Sequence, residues 1–335
     1  MGQLVTFNTR AGESLLRFYK EALAKATTRV TKLSESKTHI SVLRGLEPSV
    51  ENLLNLIFVV RPICKERIGR SKLILNNQDG KIGATLKDSP GFFEIPAEVA
   101  KKGLKTASYV SQLDVDSVSD LAILKPFDGL HEIQNKLGIG QVDFKDVEDK
   151  AKHRMSHLLL SRRFNFAAPG TKALAFFCSD KALGGKAFWT FSTDLTESKI
   201  LCVWLNSTLA FIESLLLQSE TEGSFVEVTK EKLLEFHIPD LVTCDTSELL
   251  AAFERVRRVE FPPIFEQFEN LPEARKIIDR AVLKTIAYSD NEIEEILPEL
   301  YQAMATELRS WKELMHQSSA KEKDPTPQLH LFARD

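Results

Sequence analysis

The chain has 335 residues, 43% of them apolar and 27% charged, with a formal net charge of −3. That is ordinary globular composition and long enough for two hydrophobic cores, so two domains are expected. No run reaches the about twenty apolar residues that a bilayer span requires, because Leu53–Val60 is too short and Ile200–Leu217 is interrupted by Asn206 and Glu213. Met1–Arg10 lacks the basic start and apolar block of a secretory signal, so a cytoplasmic protein with no membrane partner is expected.

The small net charge hides an asymmetry. Residues 245–335 carry 12 Lys and Arg against 18 Asp and Glu, a net of −6, which leaves 32 against 29, or +3, for residues 1–244. Any nucleic-acid contact must therefore come from local basic clusters in the first 244 residues, not from the field of the whole molecule. Cys64, Cys178, Cys202 and Cys244 lie far apart and read as reduced thiols. Only His153 and His157 have the spacing that puts two imidazoles on one helical face, and no third ligand accompanies them, so no metal is expected.

In chain order, Leu4–Phe7 reads as a short strand, and Ala11–Thr28 as a helix with Leu15, Phe18, Tyr19, Ala22, Leu23 and Ala26 at helical spacing. Pro48 opens a helix over Val50–Val60. Short apolar runs at Lys72–Leu75 and Lys81–Leu86, separated by a turn at Asn76–Gly80, predict a hairpin. Phe92–Ile95 reads as extended, Pro96 starts a short helix to Leu104, and Leu121–Leu124 reads as a buried strand. A strand-rich stretch follows from His157 to Leu205, then helices over Ser207–Leu217 and Lys230–Phe236, the latter stopped by Pro239. From Cys244 to about Gln317 the pattern is helical, with Leu249, Leu250, Phe253 and Val256 on one face and Ile277, Ile278, Val282 and Ile286 on another. The expected architecture is α+β: a strand-rich recognition domain over residues 1–244, a helical docking domain over 245–317, and a flexible tail over 318–335.

No catalytic constellation is visible. Leu137-Gly138-Ile139-Gly140 has too few glycines for a cofactor loop, and Phe261-Pro262-Pro263-Ile264 has the wrong flanks for a loop that grips a target amine; both read as plain turns. Glu148-Asp149-Lys150, with Asp143 or Asp146 upstream, is the nearest approach to a metal-dependent nuclease, but the same letters describe a solvated helical face over Lys145–His153. No cofactor is expected, and the chain is not expected to be an enzyme acting alone.

One ordered set of segments is more informative. Trp204-Leu205-Asn206-Ser207-Thr208-Leu209 is followed by Glu222-Gly223-Ser224-Phe225-Val226-Glu227-Val228-Thr229-Lys230, Leu233-Leu234 and His237-Ile238-Pro239. This resembles the target-recognition region of bacterial adenine-specific DNA methyltransferases of restriction-modification and phage-defence systems, with Glu222 where an Arg often precedes the glycine. Arg275, Ile278-Asp279, Ala281-Val282-Leu283 and Leu297 to Leu308 resemble the helical C-terminal region of the same proteins. The resemblance spans about residues 90–315 and omits the catalytic domain of the family. It implies a DNA specificity subunit, or a fragment of a longer chain, that works with an S-adenosylmethionine-dependent methyltransferase subunit on double-stranded DNA. Locally, Asn206 ends an Ile200–Leu205 strand and caps the next helix, so the motif reads as scaffold.

The candidate DNA-binding residues fall in two clusters, Arg61, Lys65, Arg67, Arg70 and Lys72, and Arg154, Arg162 and Arg163, with Lys172 and Lys186 on two glycine-bearing turns. In the tail, Gln328-Leu329-His330-Leu331-Phe332 resembles the motif by which bacterial proteins dock on the replication sliding clamp, Leu331 and Phe332 entering an apolar pocket while Gln328 supplies hydrogen bonds. A protein-interaction adaptor associated with the clamp is thus the other alternative.

Overall fold

The computed structural model describes residues 9–321 apart from 39, 48–52, 70, 90 and 219–224. The expected strand at Leu4–Phe7, the helix start at Pro48, Arg70, Glu222, Gly223 and the motif Gln328, Leu329, Leu331 and Phe332 lie outside the described residues.

The chain opens with α1 (Arg10–Ala26), which Thr9 caps by accepting from the Gly12 amide, and continues through β1 (Val30–Lys32) and β2 (Val42–Arg44). A short α2 (Leu53–Ile57) then turns directly into β3 (Phe58–Val59), so the helix expected up to Val60 stops at Ile57. Leu54 and Leu56 to Val60 are buried, and pairing of Phe58 and Val59 with a later strand takes the end of the run away from the helix.

After α3 (Lys65–Ile68) come β4 (Leu73–Gln78), β5 (Lys81–Leu86) and β6 (Phe92–Glu94), a three-stranded meander. The β4–β5 ladder runs up to Gln78 opposite Lys81, leaving Asp79 and Gly80 as a two-residue turn with φ of 53° and 76°. Both central residues are left-handed, the twist that a tight hairpin requires and that Asp-Gly accepts at little cost.

The stretch after Pro96 is not helical. It forms β7 (Ala100–Leu104), antiparallel to β8 (Asp120–Ile123) and parallel to a later strand. Two neighbouring ladders take up its backbone groups and override a weak local preference for helix. Two amphipathic helices follow, α4 (Leu130–Leu137), closed by Gly138 in the left-handed conformation, and α5 (Phe144–Lys152), capped by the Asp143 side chain. Gly138 is thus a helix terminator.

Strands β9 (Met155–Ser161), β10 (Arg163–Phe164), β11 (Ala175–Gly184) and β12 (Phe188–Phe191) follow. Ile200–Leu205, expected as a strand, belongs instead to α6 (Leu195–Leu205). Asp194 and Glu197 form a reciprocal capping box at its start, and its second half, Ile200–Leu205, is apolar all round because it is buried all round. After α7 (Thr208–Leu216) come β13 (Val226–Glu227), α8 (Lys230–Leu234) and β14 (His237–Pro239). Pro239 does not stop α8, which ends at Leu234; it pairs with Val30 at the end of β14. Four helices complete the described chain: α9 (Ser247–Val256), α10 (Ile264–Asn270), α11 (Glu273–Thr285) and α12 (Asp290–Lys321), the last running past Gln317.

The architecture is α+β, as expected. Its centre is a seven-stranded sheet in the order β2-β12-β9-β11-β7-β8-β3, antiparallel except for β11 beside β7, with a bulge in β11 between Phe177 and Ala182. One hydrophobic cluster joins α1, this sheet and the C-terminal helices across position 244. Phe177 of β11 meets Phe253 of α9 edge-on at 5.0 Å between centroids, and Phe166 meets Trp311 of α12 at 5.7 Å. Each such fully buried aromatic contributes about 1.5–3 kcal/mol relative to leaving it exposed. Smaller clusters lie under the β4–β5–β6 meander and beneath α5. Among the described residues no single helix is long and apolar enough to cross a membrane; α6 and α7 qualify only as a pair, bent by 72°, and both are buried in the core.

Candidate nucleic-acid interface

Among the described residues of the first basic cluster, the arginines turn inward and the lysines do not. Arg67, expected to face DNA, is buried: its Nη2 donates to both Asp120 oxygens at 2.9 and 3.1 Å, and its Nη1 to the Thr106 and Ser108 carbonyls at 2.9 and 2.6 Å. Asp120, fully buried, also accepts from the Arg61 and Lys105 amides, both at 2.9 Å. Arg61 is half-buried, with Nε on the Ser119 carbonyl at 2.9 Å. A buried carboxylate needs a cation, and Arg67 is the group that supplies it. Lys65 and Lys72 remain exposed.

Sequence reasoning passed over the lysine beside this pair. Lys105 Nζ donates to Asn55 Oδ1 at 2.8 Å and lies 3.4 Å from Ser71 Oγ; burial pushes its pKa down to about 8.

The second cluster stays together and gains a member. Arg154 Nε donates to the Arg44 carbonyl at 3.2 Å. The Arg162 amide donates to the Ala187 carbonyl at 2.8 Å, next to Lys186 on the turn between β11 and β12. Arg44 ends β2, opposite Trp189 of β12, and its Nη1 pairs with Glu47 at 2.6 Å. Burial pushes the Arg162 guanidinium below its ordinary value and the Arg44 charge beside it adds to the effect, while Glu227, which accepts from Arg162 Nη1, opposes it. The Nε atoms of Arg44 and Arg162 are both buried without a hydrogen-bond partner. Arg163 is exposed, its guanidinium 4.3 Å from the centre of the Phe225 ring. Among the described residues four guanidiniums, those of Arg44, Arg154, Arg162 and Arg163, thus stand together with two carboxylates, Glu47 and Glu227, which pair with Arg44 and Arg162. The signal that could have found Arg44 was its place at the end of the β-prone run Ile40–Leu43. Lys172 is half-buried on the loop before β11, where its carbonyl accepts from Gln267 Nε2 at 2.7 Å.

The Asn206–Thr208 motif is internal. Asn206 does not end a strand and cap the next helix. It closes α6, its Oδ1 accepting from the Leu174 and Ala175 amides and its Nδ2 donating to the Ala175 and Cys202 carbonyls, while Ser207 caps α7. Arg275 reaches the Asn206 carbonyl from α11 and holds Gln267 Oε1 at 2.5 Å.

Other polar clusters are likewise tied up. On α5, Lys150 pairs with Asp146 at 2.6 Å and Lys152 with Asp149 at 3.3 Å along an exposed face. Lys102 bridges Asp116 and Asp180 at 2.7 and 2.9 Å; burial raises the Cys178 thiol, and its Sγ donates to Asp116 at 3.2 Å. Among the described residues no three His, Cys, Asp or Glu side chains converge as a metal site would require.

No family model matches the chain, and no curated protein matches it. Solved structures do: fourteen chains match, among them the type IIG restriction endonuclease BpuSI, at a TM-score of 0.57 and 14% identity. That likeness covers 91% of this chain and 34% of BpuSI, so the chain spans about a third of that protein's length. At this identity what is shared is the fold.

Proposed function

We propose that this chain is the DNA-recognition module of a restriction-modification system, working with an S-adenosylmethionine-dependent adenine methyltransferase subunit that supplies the catalysis. The observation that carries the reading is a fold held in common, over nearly the whole chain, with part of a type IIG restriction endonuclease. The cluster of Arg44, Arg154, Arg162 and Arg163 supports it, because phosphate neutralisation needs cations gathered together. Under this reading the Asn206 and Asp279 segments are the scaffold and the arginine cluster is the contact. The tail motif at Gln328, Leu329, Leu331 and Phe332 proposes the sliding clamp as a further partner, tested by pull-down with and without Leu331→Ala and Phe332→Ala.

The test of the recognition reading is fluorescence anisotropy of labelled duplex DNA against the purified chain from low to physiological salt. Affinity is expected to fall steeply as salt rises, with Arg154→Ala, Arg162→Ala and Arg163→Ala each reducing the log–log slope by about 1. Binding that ignores salt and all three substitutions refutes it.

A further inference from the structure

At the edge of the arginine cluster Arg163 lies against an exposed aromatic ring. Strands β10 and β13 form a two-stranded ribbon, with Arg163 opposite Glu227 and Phe164 opposite Val226. On its inner side Phe164 and Val226 are buried, Phe164 packing on Phe211 at 6.1 Å between centroids. The ribbon is pinned at its root: the Val228 amide donates to the Arg162 carbonyl at 3.0 Å, and Trp189 Nε1 to the Val228 carbonyl at 3.0 Å. On its outer side Phe225 is 42% exposed and carries the Arg163 guanidinium over its ring.

An aromatic ring under an arginine does two things. The ring's negative face attracts the cation and holds its plane in place, which a lone surface arginine lacks. Such a pair offers a surface on which a nucleobase can lie, since guanidinium planes and aromatic rings are the two platforms that proteins use to stack bases. Bases inside a duplex present their edges and keep their faces covered by neighbours, so the ligand of such a platform is a base without a stacking partner. Phosphates flanking that base would meet Arg162, next to Arg163 in the chain, and Arg44 beside it.

We infer that Arg163 and Phe225 form a stacking site for an unpaired DNA base, beside the phosphate-contacting Arg44 and Arg162. The inference rests on the recognition reading above and adds the state of the DNA that the module grips most tightly: a base turned out of its stack.

The test uses the full chain, a fully paired duplex, and the same duplex with one extra, unpaired 2-aminopurine in one strand. Wild type is expected to bind the bulged duplex about tenfold more tightly, the scale of one base–aromatic stack, and to quench the 2-aminopurine fluorescence. Phe225→Ala is expected to abolish the preference and the quenching while keeping the affinity for paired duplex, and Phe225→Trp to restore both. Thermal denaturation of both variants checks that the fold is kept. Equal wild-type affinity for the two duplexes, or a preference that survives Phe225→Ala, overturns the stacking site and leaves the recognition reading standing. Failure to bind either duplex overturns both.

Discussion

Thr208 gives both of its donors to one carboxylate: its amide meets Asp279 Oδ1 at 2.7 Å and its hydroxyl meets Oδ2 at 2.6 Å, with Tyr301 Oη adding a third bond at 3.1 Å. Asp279 therefore works as an external cap for α7, reaching in from α11 across 71 positions of sequence. Two of the segments that carry the resemblance to methyltransferase recognition regions, one around Asn206–Thr208 and one around Arg275–Asp279, turn out to bind each other. Asp279→Ala is expected to leave buried donors without acceptors and to cost about 3 kcal/mol, with Asp279→Asn costing less. Urea denaturation followed by circular dichroism measures both; equal stability of wild type and the alanine variant contradicts the cap.

Arg67 and Asp120 make the opposite kind of prediction for a residue that looks functional in sequence. Both side chains are fully buried. Arg67→Met should destabilise the fold by about 3–5 kcal/mol, because Asp120 is left as an unpaired buried charge, and the double variant with Asp120→Asn should recover part of that loss. DNA affinity of whatever folded protein remains should be unchanged. A selective loss of affinity at full stability would return Arg67 to the interface.

Lys105 gives a pH signature. Burial lowers its folded-state pKa to about 8 from an unfolded value of 10.5. Between those two values the unfolded chain binds more protons than the folded one, so this residue's contribution makes stability rise with pH across that window. Below about pH 8 the charged, half-buried amine is a fixed cost. The stability of wild type minus that of Lys105→Met should accordingly increase from pH 8 to 10.5, read from denaturation midpoints at a series of pH values. A flat difference refutes the shift. Acylation by an amine-reactive reagent offers a second reading, since the free-base fraction of Lys105 should exceed that of exposed lysines at pH 8.

What could be read from the sequence followed from periodicity and turn chemistry. The stripes of Leu249, Phe253 and Val256, and of Ile278 and Val282, are the buried faces of α9 and α11, and Asp79-Gly80 is the hairpin turn. What failed was decided at long range. Ile200–Leu205 has no polar side to reveal a helical period, because this half of α6 is covered on every face, although Asp194 and Glu197 are a legible helix start. The β7 strand exists because β8 and β11 flank it. Arg67 reads in sequence as a DNA contact because its partner lies 53 positions away, and a run of basic residues does not state which of them faces inward. Arg44 was passed over for the converse reason: a lone arginine joins a cluster only when β2 docks beside β12.

That same Arg44 allows affinity and stability to be separated. Its guanidinium adds to the cost of charging Arg162, its Nε is buried with no acceptor, and its pairing with Glu47 is exposed on both sides. An exposed pair of this kind contributes at most about 1 kcal/mol, and removal of a neighbouring like charge returns a similar amount. Its structural link to Arg154 runs through the Arg44 carbonyl, which a side-chain substitution leaves in place. Arg44→Ala is therefore expected to fold as stably as wild type, within about 0.5 kcal/mol. If the cluster holds phosphate, the same substitution should nonetheless weaken DNA binding and reduce the log–log salt slope by about 1. Arg44→Lys, which keeps the charge but not the fork, should recover the slope and only part of the affinity. Stability from urea titration and affinity from anisotropy, measured on one preparation of each variant, give the answer. Affinity and stability falling together would make Arg44 a structural residue, and unchanged affinity would move the DNA contact away from the β2 end of the sheet.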